Sequence, residues 1–371
     1  ILKNLQKKNF TEKDIAFPEK RASDNEYQER VRQIDEPTPS RYNNDGRRLH
    51  EASGCAGKLA VFAVRLDTYP TEKKQVFYIG SNDESVFETM RRDILSSFTT
   101  LPVSGEYLHR DCYAVSKKYG KDVFLVIDKL GSKCIPKLFG LKRKIDRIAG
   151  RFSFFPAKMS DRISQAMSYL WPNHLPTWMD EYHRKYQHHL ILEMSGKGID
   201  EACKYLQSFF KGHEGNYFEC SPEDGEKAIL HRFVAGGAIG RYHAMKRDTV
   251  GEMMTVDVAL RRNEEKWFEQ LPEEIDSLIE AKFYYGHLFC HVMHQNYVLK
   301  KGVDADKLKA KILASFDSRD AEYPAEHNVG HEYAAKPVLK AFYRKLDPTN
   351  TFNPGIGKTS KLKNWALVKN K

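Results

Sequence analysis

Nine consecutive residues, Tyr323-Pro324-Ala325-Glu326-His327-Asn328-Val329-Gly330-His331, hold one acid, two imidazoles and an amide. Pro324 fixes the backbone on one side and Gly330 frees it on the other. Such a segment suits a loop that aims polar groups into a cavity, where a carboxylate and an imidazole share a proton or a metal. It equally suits an ordinary polar surface loop. Two further stretches add donors. Tyr285-Gly286-His287-Leu288 opens a run that also holds His291 and His294, and Asp347-Pro348-Thr349-Asn350-Thr351-Phe352-Asn353-Pro354-Gly355 follows the acidic loop.

Elements must hold these groups in place, and the hydrophobic pattern names them. Gln75–Gly80 reads as a strand, Ser81-Asn82-Asp83 as a cap, and Val86, Phe87, Met90, Ile94 and Phe98 as the face of a helix. A second strand falls near Gly105–Leu108. The order repeats with a strand over His188–Met194, a helix over Asp200–Lys211 and a strand over Tyr217–Cys220. Two such units predict a split β-α-β sheet with helices on one face. Thr255–Leu260 is strand-like. Lys58–Val64 follows a glycine turn and is nearly all apolar, which predicts a buried strand. Residues 1–50 read as a polar lead-in.

Composition narrows the class. The chain has 371 residues, 41% hydrophobic and 30% charged, which fits a globular protein of two or three domains. No apolar run reaches the roughly 18 residues needed to cross a bilayer, and no secretory signal is visible. The six cysteines are scattered without a CxxC pair, which points to a reduced cytosolic protein with no zinc-thiolate site. The net charge is +10, and nine basic residues against two acidic ones fall between Lys133 and Arg162. Leu141, Ile145 and Ile148 share a helical face there, and Phe152, Phe154, Phe155, Met159, Met167, Tyr169, Leu170, Trp171 and Trp178 follow. Cations with aromatics fit a segment lying on an anionic phospholipid membrane surface. A helical hairpin that packs its aromatics on its own domain fits the same pattern. Nucleic acid is excluded as the partner, since no nucleic-acid fold signature accompanies the charge.

Taken in order, Arg41-Tyr42-Asn43, Cys55 to Thr68 with the Gly54-Cys55-Ala56-Gly57 turn, Gly105-Glu106-Tyr107, Tyr284 to Tyr297, and Asn353 to Lys358 form a set with a known counterpart. The chain resembles the flavin-dependent 2-hydroxyacid dehydrogenases of the vanillyl-alcohol-oxidase type. Within them it is similar to the membrane-associated, quinone-linked D-lactate dehydrogenases of bacteria. The resemblance implies an α+β fold: part of an FAD-binding domain, a split antiparallel cap sheet, and a helical basic insertion. It places the second part of the FAD-binding domain at 1–68 and 319–371, and the cap or substrate domain at 69–110, 187–224 and 249–318. The membrane-binding insertion is 111–186 with 225–248. Ile1 and the polar opening, with no glycine-rich flavin-pyrophosphate loop before them, lead to the expectation of the C-terminal part of a longer protein.

The implied reaction oxidises D-lactate to pyruvate on FAD and passes electrons to a quinone at the cytoplasmic face of the bacterial inner membrane. Arg232 matches an arginine that grips the substrate carboxylate, a task suited to a planar guanidinium. It equally reads as a surface arginine on an amphipathic helix. Arg261 and Arg262 are weaker candidates. His327 is the candidate base, because an imidazole accepts a proton at neutral pH, and Glu326 beside it orients a group or binds metal. Gly54, Cys55, Gly57, Val61 and Asn353 would lie against the flavin. His287, His294 and Glu326 match ligands of a divalent metal (Zn or Mn) in related D-2-hydroxyglutarate dehydrogenases, though the Gly-Asp-Gly-Asn turn of those relatives is replaced by Leu288–Met293. Positions seven apart on one straight strand face opposite sides, so a metal requires a bulge or a helix. Histidines that hydrogen-bond substrate or flavin, and histidines that merely pack in the core, remain open. Two other readings stand beside the first: a metal-assisted flavin dehydrogenase of another 2-hydroxy acid, and a membrane-attachment module without activity.

Overall fold

The computed structural model describes residues 2–11, 24–62, 64, 66, 68 and 70–366. The chain divides into two compact units. One comprises 31–39 and 72–321, and the other 1–30, 40–71 and 322–371.

The larger unit is built on one seven-stranded antiparallel sheet in the order β4-β1-β3-β2-β6-β7-β5. It opens with β1 (Lys74–Ser81), α1 (Ser85–Ser97) and β2 (Ser104–His109). Asp83 Oδ1 accepts from the Ser85 backbone N–H at 2.9 Å, which starts α1 where the cap was expected. Five helices follow: α2 (Arg110–Tyr119), α3 (Lys121–Leu130), α4 (Ile135–Ala149), α5 (Met159–Ser168) and α6 (Thr177–Lys185). Then come β3 (His188–Ser195), α7 (Gly198–Phe209), β4 (Asn216–Glu219), α8 (Pro222–Phe233), α9 (Ala235–Lys246), β5 (Met253–Ala259), β6 (Ile279–His287), β7 (Val292–Leu299) and α10 (Ala305–Asp317). Because β3 pairs with both β1 and β2, the two β-α-β units interlock as the split arrangement requires.

Helices cover both sheet faces, not one. Phe77 and Ile79 face one way, and Val76 and Tyr78 face the other, as strand alternation demands. On the second face Val76, Tyr78, Leu108, Cys112, Tyr113, Phe124, Ala228 and Ile239 form one buried cluster with the helical insertion. The insertion therefore roofs the sheet. Trp178, grouped above with the interfacial aromatics, belongs to this core: it stacks on Phe218 at 4.3 Å and meets Tyr78 edge-on at 5.1 Å. Trp178 is itself only partly buried, at the edge of that cluster. Phe154, Tyr169 and Leu170, by contrast, are exposed. Among the described residues no helix is long and apolar enough to cross a membrane.

The smaller unit contains α11 (Pro337–Leu346), which packs Leu339 and Tyr343 against Ile356 and Trp365. Lys58 is fully buried there. Its Nζ donates to Asn350 Oδ1 at 2.6 Å and to the Phe352 carbonyl at 2.8 Å, and lies over the Trp365 ring. The buried strand expected over Lys58–Val64 is not formed: Val61, Phe62 and Val64 are exposed, and Ala63 lies outside the described residues. An apolar run becomes a strand only where a neighbour completes its ladder, and among the described residues none pairs with it. Of the basic tail, Lys369 and Lys371 lie outside the described residues, as does Ile1.

A buried charge cluster ties α1 to the β6–β7 turn. Arg91 donates to both Glu88 oxygens at 2.8 Å, Trp267 Nε1 donates to Glu88 at 3.0 Å, and His291 Nε2 lies 3.4 Å away. Burial opposes ionisation of Glu88, but the Arg91 and His291 hydrogen bonds and charges outweigh it and bring its pKa down to about 2. A carboxyl with a depressed folded-state pKa stabilises the fold above its unfolded value, and that stability is lost as pH falls toward 2. The contribution is on the order of 3 kcal/mol. Glu88→Gln should lower the urea midpoint at neutral pH and flatten the fall in stability between about pH 5 and 2; an unchanged acid profile would remove Glu88 from this role.

Candidate functional site

The β6–β7 hairpin solves the spacing of the histidines by a route other than bulge or helix. Its turn, Leu288 to His291, folds the chain back so that His287 pairs with Val292 and Tyr285 with His294. Paired residues share a face, and so do residues two apart on a strand, which brings His287 and His294 side by side. Their ring centroids lie 5.2 Å apart. His291 does not join them. It adopts φ 58° in the turn, and its Nδ1 sits 2.9 Å from the Arg261 carbonyl.

The same face carries Glu106 of β2, opposite His287, and Asp257 of β5, opposite His294. His287 Nδ1 donates to Glu106 Oε1 at 2.9 Å, and His294 Nδ1 lies 2.9 Å from Asp257 Oδ1. A carboxylate only accepts, so the Glu106 hydrogen bond fixes the Nδ1–H tautomer of His287. Asn296 extends the row: it accepts from Thr255 Oγ1 at 2.9 Å and donates to the Phe283 carbonyl. Burial pushes the His294 pKa down against the pull of Asp257. Burial also opposes Glu106 ionisation, but the His287 hydrogen bond and the Arg232 charge prevail and hold its pKa below the usual carboxylate value.

Arg232 reaches this row from the last turn of α8. Ser221 caps that helix, Pro222 opens it, Glu223 and Asp224 occupy its first turn, and His231 and Arg232 its last, all favourable to the helix dipole. Arg232 is buried, not a surface arginine. Its NH2 donates to Glu106 Oε2 at 2.9 Å, and the guanidinium lies 4.3 Å from the Tyr285 ring centre. Its Nε–H is buried with no hydrogen-bond acceptor among the described residues. Arg262 is structural: it holds the Thr38 carbonyl at 2.9 Å and Gln33 Oε1 at 2.8 Å. Arg261 pairs with Glu264 and Asp320.

The remaining expected residues belong to the smaller unit. Glu326 forms an ion pair with Arg41, and exposed His327 has its Nε2 3.7 Å from Glu326 Oε2. Both line or adjoin a polar cleft of about 340 Å³ that also includes Tyr42, Asn43 and Ser53. Gly54 and Gly57 take φ of 74° and 75°, where side chains are strained. Asn353 closes on this turn by donating to the Ala56 carbonyl at 3.0 Å, and a Cβ on Gly57 would stand 3.2 Å from its Nδ2. Cys55 is half-buried and Val61 exposed.

Sequence reasoning assigned no role to Glu106, Asp257 or Tyr285. The signal was present, since a carboxylate inside an apolar strand such as Thr255-Val256-Asp257-Val258 is rarely buried without a partner.

A family model described as "D-lactate dehydrogenase, membrane binding" matches residues 76–365. The chain belongs to this family. Among curated relatives it is 53% identical over 368 residues to the quinone-dependent D-lactate dehydrogenase of Haemophilus influenzae and 52% identical over 369 residues to that of Escherichia coli. These matches cover 99% of this chain and 65% of each relative. The enzyme of the same name from Corynebacterium glutamicum is 41% identical, over 98% of this chain and 64% of that protein. The chain thus spans about 65% of the length of the curated relatives it matches. Among solved structures, p-cresol methylhydroxylase with substrate bound is similar at 13% identity and a TM-score of 0.42, over 78% of this chain and 54% of that one. The isoeugenol complex of 4-ethylphenol oxidase from Gulosibacter chungangensis is similar at 11% identity and a TM-score of 0.41, over 77% and 53%.

Glu106 grips one histidine and Asp257 the other, so their loss should separate. In long-range nitrogen–proton NMR spectra, Glu106→Ala should move the His287 ring signals away from the Nδ1–H pattern and leave those of His294 nearly in place. Equal shifts of both rings would mean that the two carboxylates do not act individually.

Proposed function

We propose that this protein oxidises D-lactate to pyruvate on FAD, at a peripheral site on the cytoplasmic face of the bacterial inner membrane, and delivers the electrons to a quinone. The relatives' names support the reaction, and the buried Arg232 supports it in this chain. Its unsatisfied Nε–H is the donor that a substrate carboxylate would take up. Glu106 and Tyr285 keep that guanidinium in one orientation before substrate arrives. His327 takes the proton of the substrate hydroxyl, with Glu326 beside it as positioning residue. When bound, FAD supplies the acceptor for the hydride from C2 of lactate. Gly54, Cys55, Gly57, Val61 and Asn353 would hold it, the glycines by leaving backbone bare and Asn353 by its amide.

In this reading 1–68 and 319–371 contribute the second part of the FAD-binding domain. Residues 69–110, 187–224 and 249–318 form the cap, and 111–186 with 225–248 meet the membrane. The exposed aromatics Phe152, Phe154, Phe155 and Tyr169, beside Lys144, Arg147 and Arg151, support that face as the one toward anionic phospholipid. Arg232→Met should raise KM and lower kcat/KM at least roughly 30-fold, from a cost of about 2 kcal/mol or more for removing one partner of a buried charge pair. His327→Ala should lower kcat far more than it raises KM. Unchanged D-lactate kinetics in both variants would overturn these assignments.

A second reading adds a divalent metal, Zn or Mn, held by His287 and His294. It is favoured by the carboxylate behind each imidazole Nδ1, the arrangement in which a metal-bound histidine ligates through its other nitrogen. Such an ion would polarise the substrate hydroxyl. On this reading the purified protein should carry about one metal per chain by elemental analysis, His294→Ala should lose it, and a strong chelator should abolish turnover. Full activity in metal-free protein would leave the histidines as hydrogen-bonding groups alone.

A further inference from the structure

The helical roof of the larger unit holds a cleft that the proposed reaction does not use. Its volume is about 590 Å³, within the range of small-molecule sites. Val123, Ile135, Phe139 and Phe233 form apolar walls, and Gly237 and Gly240 of α9 form the floor. Glycine is the costliest residue in a helix interior after proline, so two on one side of a 12-residue helix call for a reason. A Cβ built on either meets nothing within 4 Å. Packing therefore does not demand glycine at these positions, and what the missing side chains leave open is the cleft itself.

The charges around the cleft fall into two groups. Those inside are paired. Asp146 accepts from the Ser160 N–H and Oγ at 2.8 Å, Arg241 reaches Asp161 at 3.3 Å and Asp122 at 2.5 Å, and Lys142 binds Asp122 at 2.9 Å. Arg143 and Lys158 also line the cleft, are exposed, and have no carboxylate partner among the described residues. Around the mouth, Phe139 and Phe233 are themselves exposed. A ligand that satisfies the site must bring an apolar chain to the walls and an anion to the rim.

We propose that this cleft takes one acyl chain of an anionic membrane phospholipid, with its phosphate held by Arg143 and Lys158. The inference deepens the membrane-facing reading of this surface and rests on it. A guanidinium and an ammonium together suit a phosphate, whereas a neutral quinone would leave both cations unused. The cleft would thus turn diffuse attraction to a charged surface into one stoichiometric contact.

The experiment uses the full-length holoenzyme and short-chain lysophosphatidylglycerol below its critical micelle concentration, followed by native mass spectrometry and titration calorimetry. One equivalent should bind saturably, and each added methylene should tighten binding about fourfold. Gly240→Leu fills the floor with a better helix former and should abolish binding without lowering the melting temperature. Gly237→Leu repeats the test should that variant misfold. Arg143→Glu with Lys158→Glu should weaken the anionic lipid at least tenfold and leave lysophosphatidylcholine unaffected. Sedimentation with phosphatidylglycerol vesicles separates the two ideas: its failure in the wild type sinks the membrane-facing reading, while its survival in Gly240→Leu is expected. No saturable binding by the wild type, or equal binding by both glycine variants, overturns the proposal. So does saturable binding of a short-chain quinone where lysophosphatidylglycerol does not bind.

Discussion

One carboxylate joins the polar groups on the sheet. Glu106 accepts from Arg232 with one oxygen and from His287 with the other, at 2.9 Å each. Without it a buried guanidinium would stand unpaired among apolar neighbours, at a cost of several kcal/mol. The helix that delivers Arg232 and the strand that delivers His287 are far apart in sequence, and Glu106 sits on a third element between them. The orientation of α8 on the sheet and the tautomer of His287 are therefore set by the same group. The Arg232 guanidinium is thus ion-paired and held over the Tyr285 ring in one orientation.

Much of the sheet could be read from the chain because its strands are short, nearly continuous apolar runs. Gln75–Gly80, Gly105–Leu108 and His188–Met194 each put apolar residues on both faces of a buried sheet, and the Asp83 cap marks the helix between the first two. The second helical layer fitted two readings in the sequence, for a physical reason. Aromatic residues near cations look alike whether they meet lipid or a sheet, and Trp178 chose the sheet while Phe154 stayed outside. Lys58–Val64 shows the converse, since hydrophobic periodicity reports what a segment would bury and says nothing of where its ladder partner lies.

Of the candidate site, Arg232, His287 and His294 were legible as residue types, but their grouping was not. A seven-residue spacing was weighed on a straight strand or a helix, and the chain uses a four-residue turn between paired strands instead. The acidic partners stayed hidden because Glu106 and Asp257 come from strands that only the sheet order brings alongside. The turns at Gly54, Gly57 and Asn353 were easier to read, as turns only, since a turn that needs positive φ selects its residues locally.

The hairpin tip has a consequence for how this chain tolerates change in length. Every residue of β7 is buried, with His294 and Asn296 toward the polar row and Met293 and Gln295 toward the opposite side. A single residue inserted or removed between positions 288 and 291 would exchange those two sets, because strand side chains alternate with a period of two. Most connections that join antiparallel strands absorb indels at little cost; this one does not. It is a poor place for a tag or a graft, and sequences of the family should align across it without a gap.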